Sequence, residues 1–358
     1  NSLILQQQEE VIALAQFDIK DAVLKKCILK EDETVIAVPD GVTTIGKDAL
    51  CGLQSVIAVT LPESLKVIND GAFYGCSSLT SVTLPDGVER FGSCAFAQCS
   101  ALNTIYLDNK LTEIGNSAFW GCTSLESIDI PAGVTKIGYN LFGSCLSLIS
   151  VSLPDTVTEL DERAFKECTS LACITLPDSL IKIGNMAFLN CHNLKSVNIP
   201  DRLEIIGEKA FFMCESLHEL EIPDGIASVG GDAFSDCVSV TVRSTISGKP
   251  LYKAVTATDG SSAYNFILRN IWDKGGFDFT AQDNYFPALQ DENLQYAIAF
   301  SRLMYRVNLS AAAEEHYLDF LHNNAENAVR YCITQDSAEL LGICKENGLI
   351  TAGNVTGL

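Results

Sequence analysis

The residue types best suited to nucleophilic chemistry or metal binding in this sequence are fourteen cysteines and four histidines. Cys191 beside His192 has the composition of a thiolate nucleophile and its base. Cys191 nevertheless belongs to a regular row of cysteines, and neighbours in sequence rarely direct their side chains at each other. His316 and His322 are six positions apart, on different faces of a helix, which argues against a shared metal ion. We interpret His192 and His218 as solvated loop residues.

Sequence motifs for common enzyme chemistry are missing. There is no GxSxG, GxGxxG, HExxH, or GxxxxGK followed by Ser or Thr, which argues against the usual nucleophile, dinucleotide, zinc-protease and phosphate sites. The cysteines outside the regular row have no CxxC spacing, so a zinc site is not expected. We predict a protein with no catalytic residues, no metal and no cofactor. The cysteines outside the row are Cys27, Cys51, Cys94, Cys173, Cys332 and Cys344.

A repeat of 23 residues between about residues 34 and 242 must position the regular cysteines. One coil of such a repeat cannot bury its apolar face alone and must stack on similar neighbours, so the fixed period predicts a solenoid. Large apolar residues recur with this period, without any insertion, at Leu50, Phe73, Phe96, Phe119, Phe142, Phe165, Phe188, Phe211 and Phe234. Cysteines recur with the same period at Cys76, Cys99, Cys122, Cys145, Cys168, Cys191, Cys214 and Cys237.

The period also predicts the redox state of the cysteine row. Equivalent sites in stacked coils lie about 4.8 Å apart, whereas a disulfide requires Cβ atoms about 3.8 Å apart and a specific torsion angle. We therefore expect a buried ladder of free thiols.

Each coil is predicted to have three sides. Val82 and Leu84 alternate with polar residues, which indicates a short strand with one face inward. Pro85 ends that strand because proline has no amide to donate to a ladder. An apolar pair that ends at Phe91 forms the second side. The spacing of apolar residues around Phe96 predicts a single helical or 3₁₀ turn on the third side.

The pattern L-x-x-V-x-L-P-D-x-V-x-x-I-G-x-x-A-F-x-x-C resembles the BspA-type (Treponema-type) bacterial leucine-rich repeat over nine coils. The resemblance implies an α/β fold, a right-handed, curved leucine-rich repeat solenoid with a parallel sheet on one face. It also implies bacterial surface proteins that bind host proteins, matrix components or other cells, and no catalysis. Four positions depart from the pattern, namely Leu53 in place of cysteine, Asn69 and Asp161 in place of glycine, and Asp108 in place of proline.

The segments outside the repeat suggest a cap and a helical domain. We predict an N-terminal cap over residues 1–32, with a helix over 3–16 and a hairpin over 17–29 against the first coil, then a solenoid over 33–243. Residues 244–358 are predicted as a linker, 244–250, and an all-helical domain that resembles ankyrin-like helix pairs, although the ankyrin signature TPLHxA is absent. Helical spacing occurs at 251–255, 263–272, 291–306, 310–322, 325–333 and 336–346, with Ser310 as one N-cap and Asp336 and Glu339 as a capping box.

Two rows of side chains on the solenoid are candidate binding surfaces. Small polar residues outside a strand also describe an ordinary solvated sheet, and acidic residues after proline also describe turn chemistry, so both alternatives stay open. The outward strand row is Thr60, Thr83, Tyr106, Asp129, Ser152, Thr175, Asn198 and Glu221. An acidic ridge beside it comprises Asp40, Glu63, Asp86, Asp155, Asp178, Asp201 and Asp224.

A third row follows the invariant phenylalanine position and is expected to face solvent. Its large apolar members suggest a contact surface. For Leu189, Phe212 and the adjacent Met213, we favour docking of residues 251–358, whereas Trp120 is a candidate for an outside partner. The row is Tyr74, Ala97, Trp120, Gly143, Lys166, Leu189, Phe212 and Ser235.

Charge and composition restrict the class of partner. The net charge is -21 with 19% charged residues, which argues against nucleic acid and anionic membranes and favours a basic or neutral protein, such as a matrix protein. No run of about 20 apolar residues predicts membrane insertion. The chain begins at Asn1, which we interpret as a processed or trimmed form.

Two non-catalytic functions agree with these features. The first is a protein-protein interaction module, secreted or displayed on the bacterial cell surface, that binds through the solenoid face. The second is an intracellular, cytoplasmic scaffold, which the unpaired thiols and the ankyrin-like segment suggest. An enzyme in the helical segment would require a concave pocket with convergent polar groups. The sequence leaves the ligand and the oligomeric state open.

Overall fold

The structure is a computed structural model that describes residues 15–29, 33–235, 237, 239–243, 250–255, 272–273, 276–277, 279, 283–284, 286–289, 292–305, 309–335 and 337–350. The helix predicted over 3–16, apart from its last two residues, lies outside the described residues. Most of the predicted linker at 244–250 and of the helical spacing at 263–272 also lies outside them.

An antiparallel hairpin covers the first coil, as the alternation over 17–29 predicts. Strands β1 (Gln16–Lys20) and β2 (Val23–Ile28) are joined by Asp21 and Ala22, both with left-handed φ angles of 52° and 60°. β2 then pairs in parallel with β4 (Thr44–Ile45) of the first coil. The hairpin thereby pairs the backbone groups that the end of the solenoid would otherwise expose.

The first side of each coil is a short strand, and successive strands pair in parallel with a register of 23 residues. Val82 pairs with Ile105 and is only 3% exposed, because alternate strand residues point into the core. These strands are β3 (Val35–Ala37), β5 (Ala58–Thr60), β7 (Ser81–Thr83), β9 (Thr104–Ile105), β11 (Ser127–Asp129), β13 (Ser150–Ser152), β15 (Cys173–Ile174), β17 (Ser196–Val197), β19 (Leu220–Pro223) and β21 (Ser239–Arg243).

The second side is a sheet of two-residue strands with the same register. Phe91 pairs with Ile114 and is fully buried, so this side also contributes one core residue from each coil. Its further strands are β6 (Val67–Ile68), β8 (Arg90–Phe91), β10 (Glu113–Ile114), β12 (Lys136–Ile137), β14 (Glu159–Leu160), β16 (Lys182–Ile183), β18 (Ile205–Ile206) and β20 (Ser228–Val229).

The third side is a run of turns, and the predicted helical or 3₁₀ turn around Phe96 is wrong. Cys94 and Gln98 have left-handed φ angles of 55° and 60°, which a right-handed helical turn cannot contain. Between them, the Phe96 amide donates to the Ala118 carbonyl of the next coil at 2.8 Å. Pairing between coils needs amides directed along the solenoid, whereas a helical turn would use them within its own coil.

The core consists of rows of identical side chains. The eight phenylalanines of the repeat are at most 1% exposed, and successive rings stack with centroids 4.9 to 6.0 Å apart. Each row thiol donates to the phenylalanine carbonyl of the preceding coil, as Cys122 Sγ does to Phe96 O at 3.2 Å. All fourteen cysteines are free, so the predicted ladder of buried thiols is confirmed.

The end of the repeat continues as a sheet. β21 pairs in parallel with β19, and its other edge pairs antiparallel with β22 (Pro250–Val255). The helical spacing predicted for 251–255 is therefore wrong, because the open edge of the last coil requires a strand partner. A further antiparallel pair joins β23 (Trp272–Asp273) and β24 (Gly276–Phe277), so residues 244–358 are not all helical. The domain boundaries themselves stay predictions.

Four helices follow, as predicted, in the described part of the C-terminal segment. They are α1 (Glu292–Tyr305), α2 (Ala311–Asn323), α3 (Ala325–Thr334) and α4 (Ala338–Glu346). The N-cap of α2 is Ser310, as predicted, and its side chain accepts the Ala313 amide. The N-cap of α4 is Ser337 and not Asp336, which lies outside the described residues. No helix among these residues has the length and apolar character to cross a membrane.

A buried ion pair fixes the helices of this segment. Arg302 of α1 is 0% exposed, and its guanidinium donates to both Asp283 carboxylate oxygens at 3.0 Å. Tyr317 of α2 donates its hydroxyl to the same carboxylate, and the guanidinium carbon lies 3.9 Å from the Phe279 ring centroid. Full burial of a guanidinium requires such partners.

Candidate binding surfaces

The structure brings the eight residues of the outward strand row onto one exposed face. Thr60 is the partner of Thr83, and Asp129 is the partner of Ser152, in the parallel ladders of the first side. All eight side chains are exposed, on the face opposite the buried Val82 row. Their geometry agrees with the sequence analysis, and their role in binding stays a prediction.

Tyr106 is the most prominent side chain of this face. It follows β9 directly and is 82% exposed, the highest value among the exposed large hydrophobic residues of the described chain. Its equivalents in the neighbouring coils are Thr83 and Asp129, both with shorter side chains. An aromatic ring that projects above small polar neighbours is typical of an anchor in protein interfaces.

Asn198 has a structural role within the same row. Its Oδ1 accepts the Leu176 amide at 2.7 Å, and its Nδ2 donates to the Leu176 carbonyl at 2.8 Å. The side-chain amide thus replaces the backbone pairing beyond the two-residue strands β15 and β17. We therefore give Asn198 less weight as a binding residue than Tyr106.

A second outward row was missed in the sequence analysis. Each strand has an outward residue on both sides of its inward one, so the exposed face is two residues wide. The alternation around Val82 contains this signal, since Ser81 and Thr83 are equivalent in it. The second row is Ala58, Ser81, Thr104, Ser127, Ser150, Cys173 and Ser196.

The acidic ridge lies at the turn that follows the strand face. Six of its seven carboxylates are exposed, and Asp224 is half-buried. Asn109 and Ala132 occupy the equivalent positions of the two middle coils, so the ridge is divided into two groups.

The third row is not uniformly exposed, which corrects the expectation for it. Ala97 and Gly143 are buried and Ser235 is 8% exposed, because small side chains lie below the level of their neighbours. Tyr74 is 39% exposed. Trp120, Lys166, Leu189 and Phe212 are half-buried.

A cleft of about 290 Å³ lies where Gly143 interrupts this row. Gly143 has no side chain, so a gap remains between Trp120 of the preceding coil and Lys166 of the following coil. The cleft is lined by Trp120, Tyr139, Asn140, Ser144, Arg163, Lys166, Met186 and Leu189.

The turns of the third side direct these residues outward. Asn140, Arg163 and Met186 occupy the same position of three successive coils, with left-handed φ angles of 51°, 60° and 55°. Ser144 occupies the second left-handed position of its coil, with φ 57°. Equivalent residues have this conformation in the other coils as well, so the backbone strain belongs to the repeat and not to the cleft. No glycine marks Arg163 or Met186, which explains why the sequence analysis missed them.

Cationic and aromatic groups form one wall of the cleft. Arg163 Nη1 donates to Tyr139 Oη at 2.5 Å, and its guanidinium carbon lies 5.7 Å from the Tyr139 ring centroid. Arg163 Nη2 also lies 3.3 Å from a Glu162 carboxylate oxygen, and Lys166 Nζ lies 3.0 Å from Glu167 Oε1. Both carboxylates are outside the lining, which therefore carries two positive charges and no negative charge.

Glu167 is held as a carboxylate behind this wall. The Ser144 hydroxyl donates to Glu167 Oε2 at 2.7 Å, and this bond together with the Lys166 ammonium lowers the pKa of Glu167 below its ordinary value. Because Glu167 stays charged, it holds Ser144 and Lys166 in place beside the cleft.

The predicted docking of the C-terminal segment on the third row is not found among the described residues. Leu189 lines the cleft, and Met213 is 38% exposed. The C-terminal segment instead contacts the end of the solenoid, where α1 lies against β22 and β23 against β20.

The cysteine and histidine side chains are placed far from a nucleophile geometry. Cys191 is 0% exposed and donates to Phe165 O at 3.1 Å, and burial raises the pKa of its thiol well above the ordinary value. His192 points to Glu215 at the surface, 3.6 Å away. His316 and His322 are exposed. Within the described ranges, no three His, Cys, Asp or Glu residues are grouped to hold a metal ion.

Solved structures similar to this chain are bacterial leucine-rich repeat proteins. A leucine-rich repeat protein of T. pallidum is 29% identical, covering 58% of this chain and 90% of that chain, with a TM-score of 0.45. A leucine rich cell surface protein of Faecalibacterium prausnitzii is 27% identical, covering 63% and 85%, with a TM-score of 0.41. A leucine-rich repeat protein of Bacteroides ovatus is 20% identical, covering 66% and 90%, with a TM-score of 0.43. No curated protein matches the sequence.

The family model described as BspA type leucine rich repeat region matches six copies, over residues 18–149 and 135–249. The match begins in the N-terminal hairpin and ends just before β22. Since these ranges include more than half of the 358 residues, the chain belongs to the BspA type leucine-rich repeat family.

Proposed function

We propose that this protein is a non-catalytic protein-protein interaction module, secreted or displayed on a bacterial cell surface, that binds through the exposed strand face. The observation that carries the proposal is Tyr106, 82% exposed in the middle of a flat polar face with Asp129 in the adjacent position. A large aromatic side chain without packing partners is unfavourable in water and favourable in an interface.

The size of the face indicates how a partner must bind. Eight coils spaced about 4.8 Å apart give a row roughly 34 Å long, and two outward residues with their side chains give a width of roughly 10 Å. The area is therefore roughly 300 Å², well below the ~800 Å² that each partner buries in a standard interface. A stable partner must extend past the strand face, and the acidic ridge is the adjacent surface.

This extension favours a basic partner. Most carboxylates of the ridge are exposed, and the whole chain carries a net charge of -21. Opposite charges at the rim of an interface accelerate association and make it sensitive to salt. The proposal therefore includes a partner with a cationic surface next to the pocket or groove that accepts Tyr106.

The test uses a partner captured from cells and two variants. Proteins retained on the immobilised chain are identified by mass spectrometry, and their affinities are then measured with purified components. Tyr106→Ala combined with Asp129→Asn is expected to weaken binding at least tenfold, which corresponds to about 1.4 kcal/mol, with an unchanged melting temperature. Tyr74→Ala, on the third side, is the control. Equal affinities for the double variant and the unmodified chain would remove the strand face as the binding surface.

The intracellular scaffold remains a second proposal because of the free thiols. Cys51 and Cys173 are exposed and Cys94 is half-buried. Exposed free thiols are uncommon in secreted proteins, where oxidising conditions favour disulfides. A signal peptide encoded upstream of residue 1 in the full gene, together with recovery of the protein outside the cytoplasm, would exclude this scaffold. Recovery in the cytoplasm alone would exclude surface display.

A further inference from the structure

We propose that the cleft at Gly143 binds an aromatic carboxylate, that is, a planar ring and a carboxylate joined within one residue's length. The cleft is on the turn side of the solenoid and shares no lining residue with the strand face. The proposal therefore concerns a second ligand site, and it does not depend on the protein-binding face proposed above.

The shape of the cleft fits one planar group. Trp120 and Lys166 occupy the same position two coils apart, so their backbones are separated by roughly 10 Å. A ring needs about 3.5 Å of separation from each wall for van der Waals contact. One flat ring therefore fits between the Trp120 indole and the opposite wall. The cleft volume of about 290 Å³ lies at the lower end of the range of small-ligand sites.

The apolar lining selects an aromatic or aliphatic ligand part. Trp120 and Tyr139 contribute ring faces, while Met186 and Leu189 contribute aliphatic and thioether surface. Stacked and edge-to-face aromatic contacts contribute beyond the apolar area that they bury, and sulfur contacts rings favourably. A sugar would place hydroxyl groups against Met186 and Leu189, which offer no hydrogen-bond partners, and such groups are costly to bury.

The charged lining selects a carboxylate. Arg163 and Lys166 have 34% and 31% of their side chains exposed, so a ligand would reach them in a partly desolvated site. The Lys166 ammonium has three donors and is paired with Glu167, and the Arg163 guanidinium has five donors and bonds Tyr139 and Glu162. Donors thus remain for a ligand carboxylate, and an Arg–carboxylate pair adds geometric specificity.

The surroundings strengthen this selection. The chain has 45 acidic and 24 basic residues, yet the cleft lining contains two basic residues and no acidic one. A cationic ligand would be repelled from the lining and attracted to the rest of the surface. An anionic ligand experiences the opposite balance, so it is concentrated at the cleft.

Tryptophan fluorescence gives a direct test, because the chain has two tryptophans, Trp120 and Trp272. A Trp272→Phe chain keeps Trp120 as its single indole. Its emission is recorded while N-acetylphenylalanine is added, since phenylalanine does not absorb where tryptophan is excited. We expect a saturable change with N-acetylphenylalanine, at least tenfold weaker binding of the corresponding amide, and no saturation with acetate.

Two variants in the Trp272→Phe background connect the signal to the lining. Lys166→Gln is expected to weaken N-acetylphenylalanine binding at least fivefold. Lys136→Gln is the matched control, because Lys136 is also paired with two carboxylates, Glu159 and Asp161, and lies outside the cleft. Circular dichroism and thermal unfolding verify that both variants are folded. Absence of saturation up to millimolar ligand, equal affinity for acid and amide, or equal effects of the two variants would overturn the proposal.

A tripeptide distinguishes two sources of the same chemistry. Gly-Gly-Phe has a free C-terminal carboxylate on its aromatic residue, as the end of a protein chain would. Tighter binding of Gly-Gly-Phe than of N-acetylphenylalanine supports an aromatic C-terminus as the natural ligand. Equal or weaker binding of the peptide supports a free aromatic acid.

Discussion

Phe96 and Phe119 stack in successive coils, with ring centroids 5.7 Å apart and ring planes only 5° from parallel. The parallel ring planes follow from the 23-residue register, which gives both residues the same backbone conformation and the same neighbours. Offset stacking is a favoured geometry for aromatic pairs. The core therefore extends along one axis, and each coil depends on its two neighbours for packing.

Phe142→Ala tests this dependence in the middle of the array. Phe142 is 0% exposed and stacks on Phe119 at 5.7 Å and on Phe165 at 5.4 Å. Its truncation is expected to lower the free energy of unfolding by about 3 to 5 kcal/mol in urea denaturation. Leu50→Ala is expected to cost less, since no ring stacks on it from the N-terminal side.

Phe73→Ala is the matched control near the end of the row, because Phe73 stacks on a ring in one direction only, Phe96 at 4.9 Å. We expect its cost to lie between those of the other two variants. Equal losses for Phe142, Phe73 and Leu50 would contradict a linear array in which stability is shared between neighbours.

Cys122→Ala tests the effect of the thiol row on stability at alkaline pH. Burial raises the pKa of the Cys122 thiol from 9.0 to about 12. The folded state then keeps this proton while the unfolded state loses it, so the stability from this thiol is complete below about pH 9 and is lost as the pH rises to about 12. The loss amounts to about 1.4 kcal/mol per pH unit. Stabilities of the wild-type chain and the variant should therefore converge above pH 9, as measured by urea unfolding between pH 7 and pH 11.

Cys122→Ser separates ionisation from hydrogen bonding. A serine hydroxyl can still donate to Phe96 O, the acceptor of the thiol, and it does not ionise in this pH range. Its stability should therefore follow the pH dependence of the alanine variant. A serine variant that follows the wild-type curve would show that the alkaline loss has another origin.

The sequence predicts the stacking features because they follow from the period alone. Any position repeated every 23 residues must form a row, so the Phe core, the free thiols and the outward strand face were all predictable. The N-terminal hairpin was predictable from alternation around Asp21. These features need no information about contacts between different positions of the repeat.

Other features depend on tertiary pairing and could not be read from the same pattern. The spacing around Phe96 is the same in a helical turn and in consecutive tight turns, and only the hydrogen bond to Ala118 in the next coil distinguishes them. The strand Pro250–Val255 exists because the last coil has an open edge. The cleft is a gap at Gly143 bounded by different positions of neighbouring coils. A glycine in a row of larger residues was its one signal in the sequence.

Asp283→Ala tests the buried ion pair of the C-terminal segment. The change leaves the Arg302 guanidinium, 0% exposed, without its carboxylate partner. An uncompensated buried charge is expected to lower the free energy of unfolding by about 3 to 5 kcal/mol. Glu326→Gln is the control, because it removes an exposed pair with Arg330 that contributes less than about 0.5 kcal/mol. Similar costs for both variants, in thermal and urea unfolding, would show that the buried pair does not hold the helices.

Cys332 and Cys344 connect α3 and α4 and should form a disulfide under mild oxidation. Both thiols are 0% exposed, with sulfur atoms 3.6 Å apart, and their hydrogen bond lowers the pKa of Cys344. Diamide would accept two electrons and two protons as the bond forms, which lowers the mass by about 2 Da. Closing a loop of this length should stabilise the fold by about 3 kcal/mol. Because the row thiols donate to carbonyls and not to each other, they should stay unlinked. Peptide mapping checks both expectations, with Cys344→Ser as control, and a cross-link between successive coils would contradict the thiol ladder.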